Sequence, residues 1–160
     1  MVPAVSRTLE SIIHRLEERA EALRPQFSEG FARFAERYDL TDWEGWFSPY
    51  DDQIYEAVLS HIGSGDTVID IGAGDLRLAL RMAACAQRVY AVEVNPLLLS
   101  WALEIIGLDL PRNLHAICAN ALDVPIPSDV TTAVLLMRHC QHFHSYVDRL
   151  RAAGCQRILT

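Results

Sequence analysis

The sequence predicts an α/β fold built on a parallel sheet, from three observations. Strand-like apolar runs alternate with helical patterns from residue 66 onward. The run Thr67 to Ile71 breaks into the turn Gly72-Ala73-Gly74-Asp75 before the helical pattern of Leu76 to Ala86. A second run, Arg88 to Val94, follows about twenty residues later and carries an acid, Glu93, near its end. Alternation of this kind requires parallel strands joined by right-handed crossovers.

Each element follows from local chemistry. Ser6 to Arg24 carries Leu9, Ile12, Ile13, Leu16, Ala20 and Leu23 at helical spacing with charges between, which predicts an amphipathic helix ended by Pro25. Phe27, Phe31, Phe34 and Tyr38 repeat the spacing in a second helix, whose aromatic row either packs on the first or forms the inner face of a lid. Ser48 as N-cap, Pro49 at the first helical position and Asp51 three residues after the cap predict a third helix from Pro49 to His61. Its Ile54, Tyr55, Val58, Leu59 and Ile62 are expected to face the sheet. Gly63-Ser64-Gly65 is a turn, and strand one begins at Asp66. A helix follows Asp75, strand two runs from Arg88 to Val94, and Pro96 starts a helix that reaches Ile106. Strand three lies near Leu114 to Cys118, Pro125 to Asp129 form a loop, and Thr131 to Met137 is strand four. The last helix spans Phe143 to Ala153 with Gly154 as its cap, and Gln156 to Thr160 starts strand five.

Composition sets outer bounds. At 160 residues, 51% of them hydrophobic, the chain holds one domain with a core and a short appendage. We divide it into an N-terminal helical extension or lid, 1–47, and a cofactor-binding domain, 48–160, that is expected to be incomplete at its C-terminus. Net charge is −7, and the first sixty residues hold twelve acids against six arginines. Phosphate contacts need clustered positive charge, so nucleic acid is not expected and a small-molecule partner is preferred. No apolar run is long enough for a membrane span and no secretory signal opens the chain, which makes a cytoplasmic protein the default. The cysteines at 85, 118, 140 and 155 are far apart and read as small buried hydrophobes in a reducing compartment.

The glycine turn after strand one marks a nucleotide-cofactor site. Glycines at 72 and 74 let the backbone turn sharply and let a ligand approach it, and a carboxylate at Glu93 can accept both hydroxyls of a ribose. A dinucleotide fingerprint requires a third small residue where this chain has Arg77. A phosphate-cradling G-x-x-x-x-G-K loop is excluded because all fourteen basic residues are arginine. The segment from Asp70 to Asp75, with an acid before G-x-G, resembles motif I of the class I S-adenosylmethionine-dependent methyltransferases. A carboxylate suits that ligand's sulfonium and ammonium and repels a pyrophosphate.

The resemblance implies a Rossmann-like sheet of order 3-2-1-4-5 with flanking helices, and S-adenosyl-L-methionine as cofactor. It implies that Asp70, Gly72, Ala73, Gly74 and Asp75 face the methionine portion, that Glu93 with Val94 holds the ribose side, and that Asn120 and Ala121 belong to the adenine loop. Asn120 stands where the family usually has aspartate, and its amide oxygen can accept the same bond. Leu76 stands where the family often carries a third glycine, a side chain that could narrow the methionine pocket. Trp46, Phe47 and Tyr50 either close over the cofactor or form a hydrophobic junction between helices and sheet. Two further strands of the family are missing from the sequence, so either the sequence is a fragment, or a second copy or a partner chain covers the strand-five edge.

Residues beyond strand four face the transferring methyl group in this family, and here they read Arg138-His139-Cys140-Gln141-His142-Phe143-His144. The family's Asn/Asp-Pro-Pro-aromatic signature is absent. His139 or His142 is a candidate base, since imidazole titrates near neutral pH, and Arg138 is a candidate for an acceptor carboxylate or phosphate, or for pairing with Asp70 or Asp75. The alternatives are a helix-capping role for these side chains, or a metal site; the spacing matches no standard ligand pattern, and no metal is expected. The overall expectation is a methyltransferase acting on a small molecule, with a non-catalytic binding module as the rival.

Overall fold

The computed structural model describes residues 7–38, 49–137 and 140–160, with side chains described for 8–23, 49–137 and 140–160. In chain order the elements are α1 (Arg7–Tyr38), α2 (Asp52–Leu59), β1 (Thr67–Ile71), α3 (Arg77–Ala83), β2 (Arg88–Glu93), α4 (Pro96–Ile106), a single 3₁₀ turn (Gly107–Asp109), β3 (Leu114–Cys118), β4 (Thr132–Val134), α5 (Phe143–Ala152) and β5 (Arg157–Leu159). The sheet is parallel throughout, with order β3-β2-β1-β4-β5. Every residue of β1 is buried, as befits the central strand of a sheet covered on both faces.

Two apolar clusters fill the two faces. Val68, Val89, Ala91 and Val134 point to the side covered by α1 to α4, where Leu16, Leu80, Met82 and Ile106 are almost wholly enclosed. Ile69, Ile71, Val92 and Ala133 point to the other side, under α5 residues Tyr146 and Leu150 and the loop that carries Ala121 and Val130. The row expected to be apolar at the N-terminus does pack: Ile12, Ile13, Leu16 and Ala20 are buried. Burying four or five such side chains at about 1.5–3 kcal/mol each for the larger ones is what holds α1 on the sheet layer.

The structure corrects the sequence reading at several points. The two expected N-terminal helices are one, because α1 continues through Pro25. In the sequence the helical spacing of apolar residues runs on across the proline, from Ala20 and Leu23 to Phe27 and Phe31, and the helix loses one backbone bond there. The aromatic row itself, with Trp46, Phe47 and Ser48, lies outside the residues whose side chains are described. The third helix starts at Asp52, three residues later than expected, because the Asp51 carboxylate caps it by accepting the Ile54 N–H at 3.1 Å. Ile54 therefore turns outward and is 38% exposed, while Tyr55, Val58 and Ile62 are buried. Strand four is shorter than expected; the Leu135 N–H bonds the Leu159 carbonyl at 2.8 Å, and then the chain leaves the ladder. The cysteines are not the buried hydrophobes expected, since Cys118 is exposed and the others are half-buried.

The amino ends of the strands are tied by polar contacts. The Asp66 carboxylate accepts from the Gly63 N–H at 2.8 Å, the Thr131 hydroxyl at 2.8 Å and Arg157 Nη2 at 2.6 Å, joining the lead-ins of β1, β4 and β5. The carboxyl ends, by contrast, converge on an open turn. No described helix is long and apolar enough to cross a membrane.

Candidate cofactor site

Strand β1 delivers Asp70 to the carboxyl end of the sheet, between Ala91 of β2 and Val134 of β4. Beyond it the backbone alternates through left-handed positions at Gly72 (φ 79), Gly74 (φ 58) and Leu76 (φ 68). Glycine adopts the first two without penalty, whereas a leucine there costs about 1–2 kcal/mol. Backbone bonds from Gly72 and Ala73 N–H to the Val92 carbonyl, at 2.9 and 3.1 Å, pin the turn to β2. Leu76 thus holds a backbone conformation that favours glycine. Its side chain is fully buried in the core shared with α1 to α4, so it does not narrow a methionine pocket.

Glu93 ends β2 directly beside this turn. Its carboxylate accepts the Gly74 N–H at 2.8 Å on Oε2 and the Asn95 N–H at 2.9 Å on Oε1. Each oxygen keeps a lone pair, so two hydroxyls of a ribose can still be accepted. Asn95 in turn caps α4 by accepting from Leu97 and Leu98 N–H, at 3.0 and 3.3 Å, with Pro96 at the first helical position. The loop after β3 is drawn to the same place by an Ala119 N–H bond to the Glu93 carbonyl at 3.1 Å. Within it the Asn120 side-chain oxygen accepts the Leu122 N–H at 3.0 Å, Ala121 is buried and Val94 is half-buried.

Asp70 is the electrostatic anomaly. It is 4% exposed, and its Oδ2 has no hydrogen-bond partner among the described residues. Burial, reinforced by the nearby charge of Glu93, pushes its pKa from 3.8 up to about 7. Glu93 is also pushed up by burial, against the pull of its backbone N–H donors. Two buried carboxylates side by side are unfavourable by themselves and favourable for a cation placed between them. An ammonium and a sulfonium meet that demand, so the donor set fits S-adenosylmethionine.

Asp75 has a different place. Its carboxylate, 2% exposed, accepts Arg77 Nη2 at 2.6 Å and Nε at 2.9 Å, and Arg77 reaches on to Glu17 of α1 at 3.9 Å. That buried pair anchors the turn to the helical layer and leaves Asp75 little capacity for a ligand. The same pair surrounds the Tyr55 phenol, whose pKa burial and Asp75 raise to about 12. Tyr50 donates its hydroxyl to the Leu136 carbonyl just past β4, so it bridges the segment before α2 to the rim of the cleft. His142 sits at the N-cap of α5 without a side-chain cap bond, and its ring lies 3.3 Å from the Gln141 amide. Arg138 and His139 lie outside the described residues. Among those described, no three His, Cys, Asp or Glu side chains gather as a metal site.

The sequence reading missed two residues here. Arg77 carried a signal, a cation two residues from Asp75 on a helix entry. Met137, which lies against Gly72, carried none, because that contact spans strands distant in the chain.

Comparison with known proteins gives these features a context. No protein-family profile matches the chain. A probable ribosomal RNA small subunit methyltransferase A of Methanosarcina mazei is 37% identical over 78 residues, 49% of this chain and 27% of that protein. The protein of the same description from Methanosarcina acetivorans is 36% identical over 70 residues, 44% of this chain and 25% of its own length. The matched segment thus spans about a quarter of these relatives. Among solved structures, Trm5b from Pyrococcus abyssi superposes with a TM-score of 0.58 at 19% identity, covering 68% of this chain and 32% of that one, which bears on the fold. The relatives overturn the expectation of a small-molecule acceptor and of no nucleic-acid partner. Net charge misled because it averages over a surface, whereas phosphate contact depends on local arginine placement. The sheet order and the G-x-G turn are those of a Rossmann-like fold, and the relatives that share the matched segment are described as methyltransferases.

Proposed function

We propose that this chain is the cofactor-binding part of an S-adenosylmethionine-dependent methyltransferase whose acceptor is RNA. The observation that carries the cofactor half is the buried, unpartnered Asp70 oxygen beside the turn and Glu93. The acceptor half is supported by the two relatives described as ribosomal RNA methyltransferases. The cofactor, when bound, supplies a methyl group on a sulfonium, already activated toward in-line displacement. Asp70 would then meet the ammonium, Glu93 with Val94 the ribose side, and Asn120 and Ala121 the adenine. Gly72, Ala73 and Gly74 would line the methionine arm with backbone, and Tyr50 would hold the rim.

Alignment provides most of the rate in such a transfer, and a base is needed only where the acceptor atom carries a proton. His139 and His142 are the candidates for that proton, and Arg138 for an acceptor phosphate. A cytoplasmic setting accords with an RNA acceptor and with four free thiols. The test is transfer of a radiolabelled methyl group from the cofactor into total cellular RNA, compared with the low-mass metabolite fraction. Label in RNA is expected. Label confined to small molecules would refute the acceptor, and cofactor binding without any transfer would leave the protein a binding module.

A further inference from the structure

Gly72 is open to solvent on one side and covered on another. A Cβ placed there would lie 2.6 Å from Met137 Cγ and 2.8 Å from Met137 Sδ. Met137 is half-buried against the core on the α5 side and comes three residues after Val134, which pairs with Asp70. Its side chain therefore crosses from the end of β4 to the turn at the end of β1. The N–H of the other turn glycine, Gly74, is already given to Glu93. The α-carbon face of Gly72 is where a ligand could come closest to the main chain, and a thioether covers it.

We propose that Met137 sets the cofactor affinity of this site by competing with the cofactor's methionine arm for the face of Gly72. The inference rests on the reading of the turn as an S-adenosylmethionine site. With the side chain on the glycine this face is closed, and the cofactor's methionine arm requires it rotated off. Methionine suits this, since three soft torsions let it leave without moving the backbone. The binding-competent rotamer is then a minor one, and apparent affinity is reduced by its fractional population.

Calorimetry with S-adenosylmethionine and with S-adenosylhomocysteine tests this on the wild type, Met137→Ala and Met137→Ile. If the displaced rotamer is populated at about 10% or less, the alanine variant binds both ligands about tenfold tighter or more. Isoleucine keeps the bulk but is stiff at χ1, so it binds more weakly than wild type. A residue that merely packs would lower the melting temperature of the ligand-free alanine variant without tightening its Kd. Equal or weaker binding by a folded alanine variant overturns the role of Met137 and leaves the cofactor reading intact. Should that variant not fold, wild-type affinity in the isoleucine variant overturns it instead. Absence of binding in all three removes the proposal together with the cofactor reading.

Discussion

Replacing Asp70 by asparagine removes the charge that the fold tolerates least and leaves the shape unchanged. The native protein holds the Asp70 proton up to about pH 7, while the unfolded chain has released it by about pH 4. More protons are bound by the native state across that interval, so wild-type stability falls as pH rises from about 4 to 7 and is flat above. A displacement from 3.8 to about 7 corresponds to about 4 kcal/mol. Asparagine has no such dependence, but its buried amide must also find partners, at a cost of about 1–3 kcal/mol. Below pH 4 the variant is thus no more stable than the wild type, and at pH 8 it is more stable by about 1–3 kcal/mol. Urea unfolding of both proteins at pH 4, 6 and 8 reads this directly. Parallel stability curves, with no difference in slope between the two proteins, would refute the claim that Asp70 is buried without a counter-charge. The same variant is expected to lose cofactor affinity, which separates a functional carboxylate from a merely strained one.

Two further substitutions probe the scaffold of the site. At Leu76 the left-handed backbone reverses the usual order of small residues: Leu76→Gly is expected to destabilise less than Leu76→Ala by about 1 kcal/mol, although both lose about 2–5 kcal/mol of core packing. Thermal unfolding of the pair decides this, and a more stable alanine variant would contradict the strained backbone. At the far end of the sheet, the Asp66 pKa is lowered from 3.8 to about 2: burial opposes the charge, but the Gly63 N–H, Thr131 and Arg157 outweigh it. Its stabilisation is present above about pH 4 and fades as pH falls toward 2. Asp66→Asn should therefore cost about 1 kcal/mol at pH 7, a figure kept small by the exposure of Arg157, and clearly less at pH 2, where the carboxyl is half protonated; an equal loss at both would rule out the ion pair.

Much of the fold was legible because its signals are local. Pro96 starts a helix by chemistry that needs nothing from the rest of the chain, and α4 begins there. Asp70, Gly72, Gly74 and Glu93 were legible as a set, since one turn pinned to the neighbouring strand brings them together. Pro25 misled because a proline's preference to end a helix is local, and α1 continues through it. Asp51 was read as the third residue after a Ser48 cap, whereas its own carboxylate caps the helix by accepting the Ile54 N–H. Asp75 looked like part of the ligand site until its contact with Arg77 was seen. The cover of Met137 over Gly72 depends on strand register, which no short window contains. The acceptor was read from overall charge, a quantity that carries no information about where arginines sit.

Two buried carboxylates flanking a glycine turn are proposed to hold a sulfonium nucleoside. Calorimetric titration of S-adenosylmethionine into the wild type and Glu93→Ala measures it most directly. Saturable one-site binding is expected of the wild type, with an affinity lower by about 1–3 kcal/mol in the variant, the worth of hydrogen bonds from ribose to a buried carboxylate. No binding by the folded wild type, or equal binding by the two proteins, would contradict it.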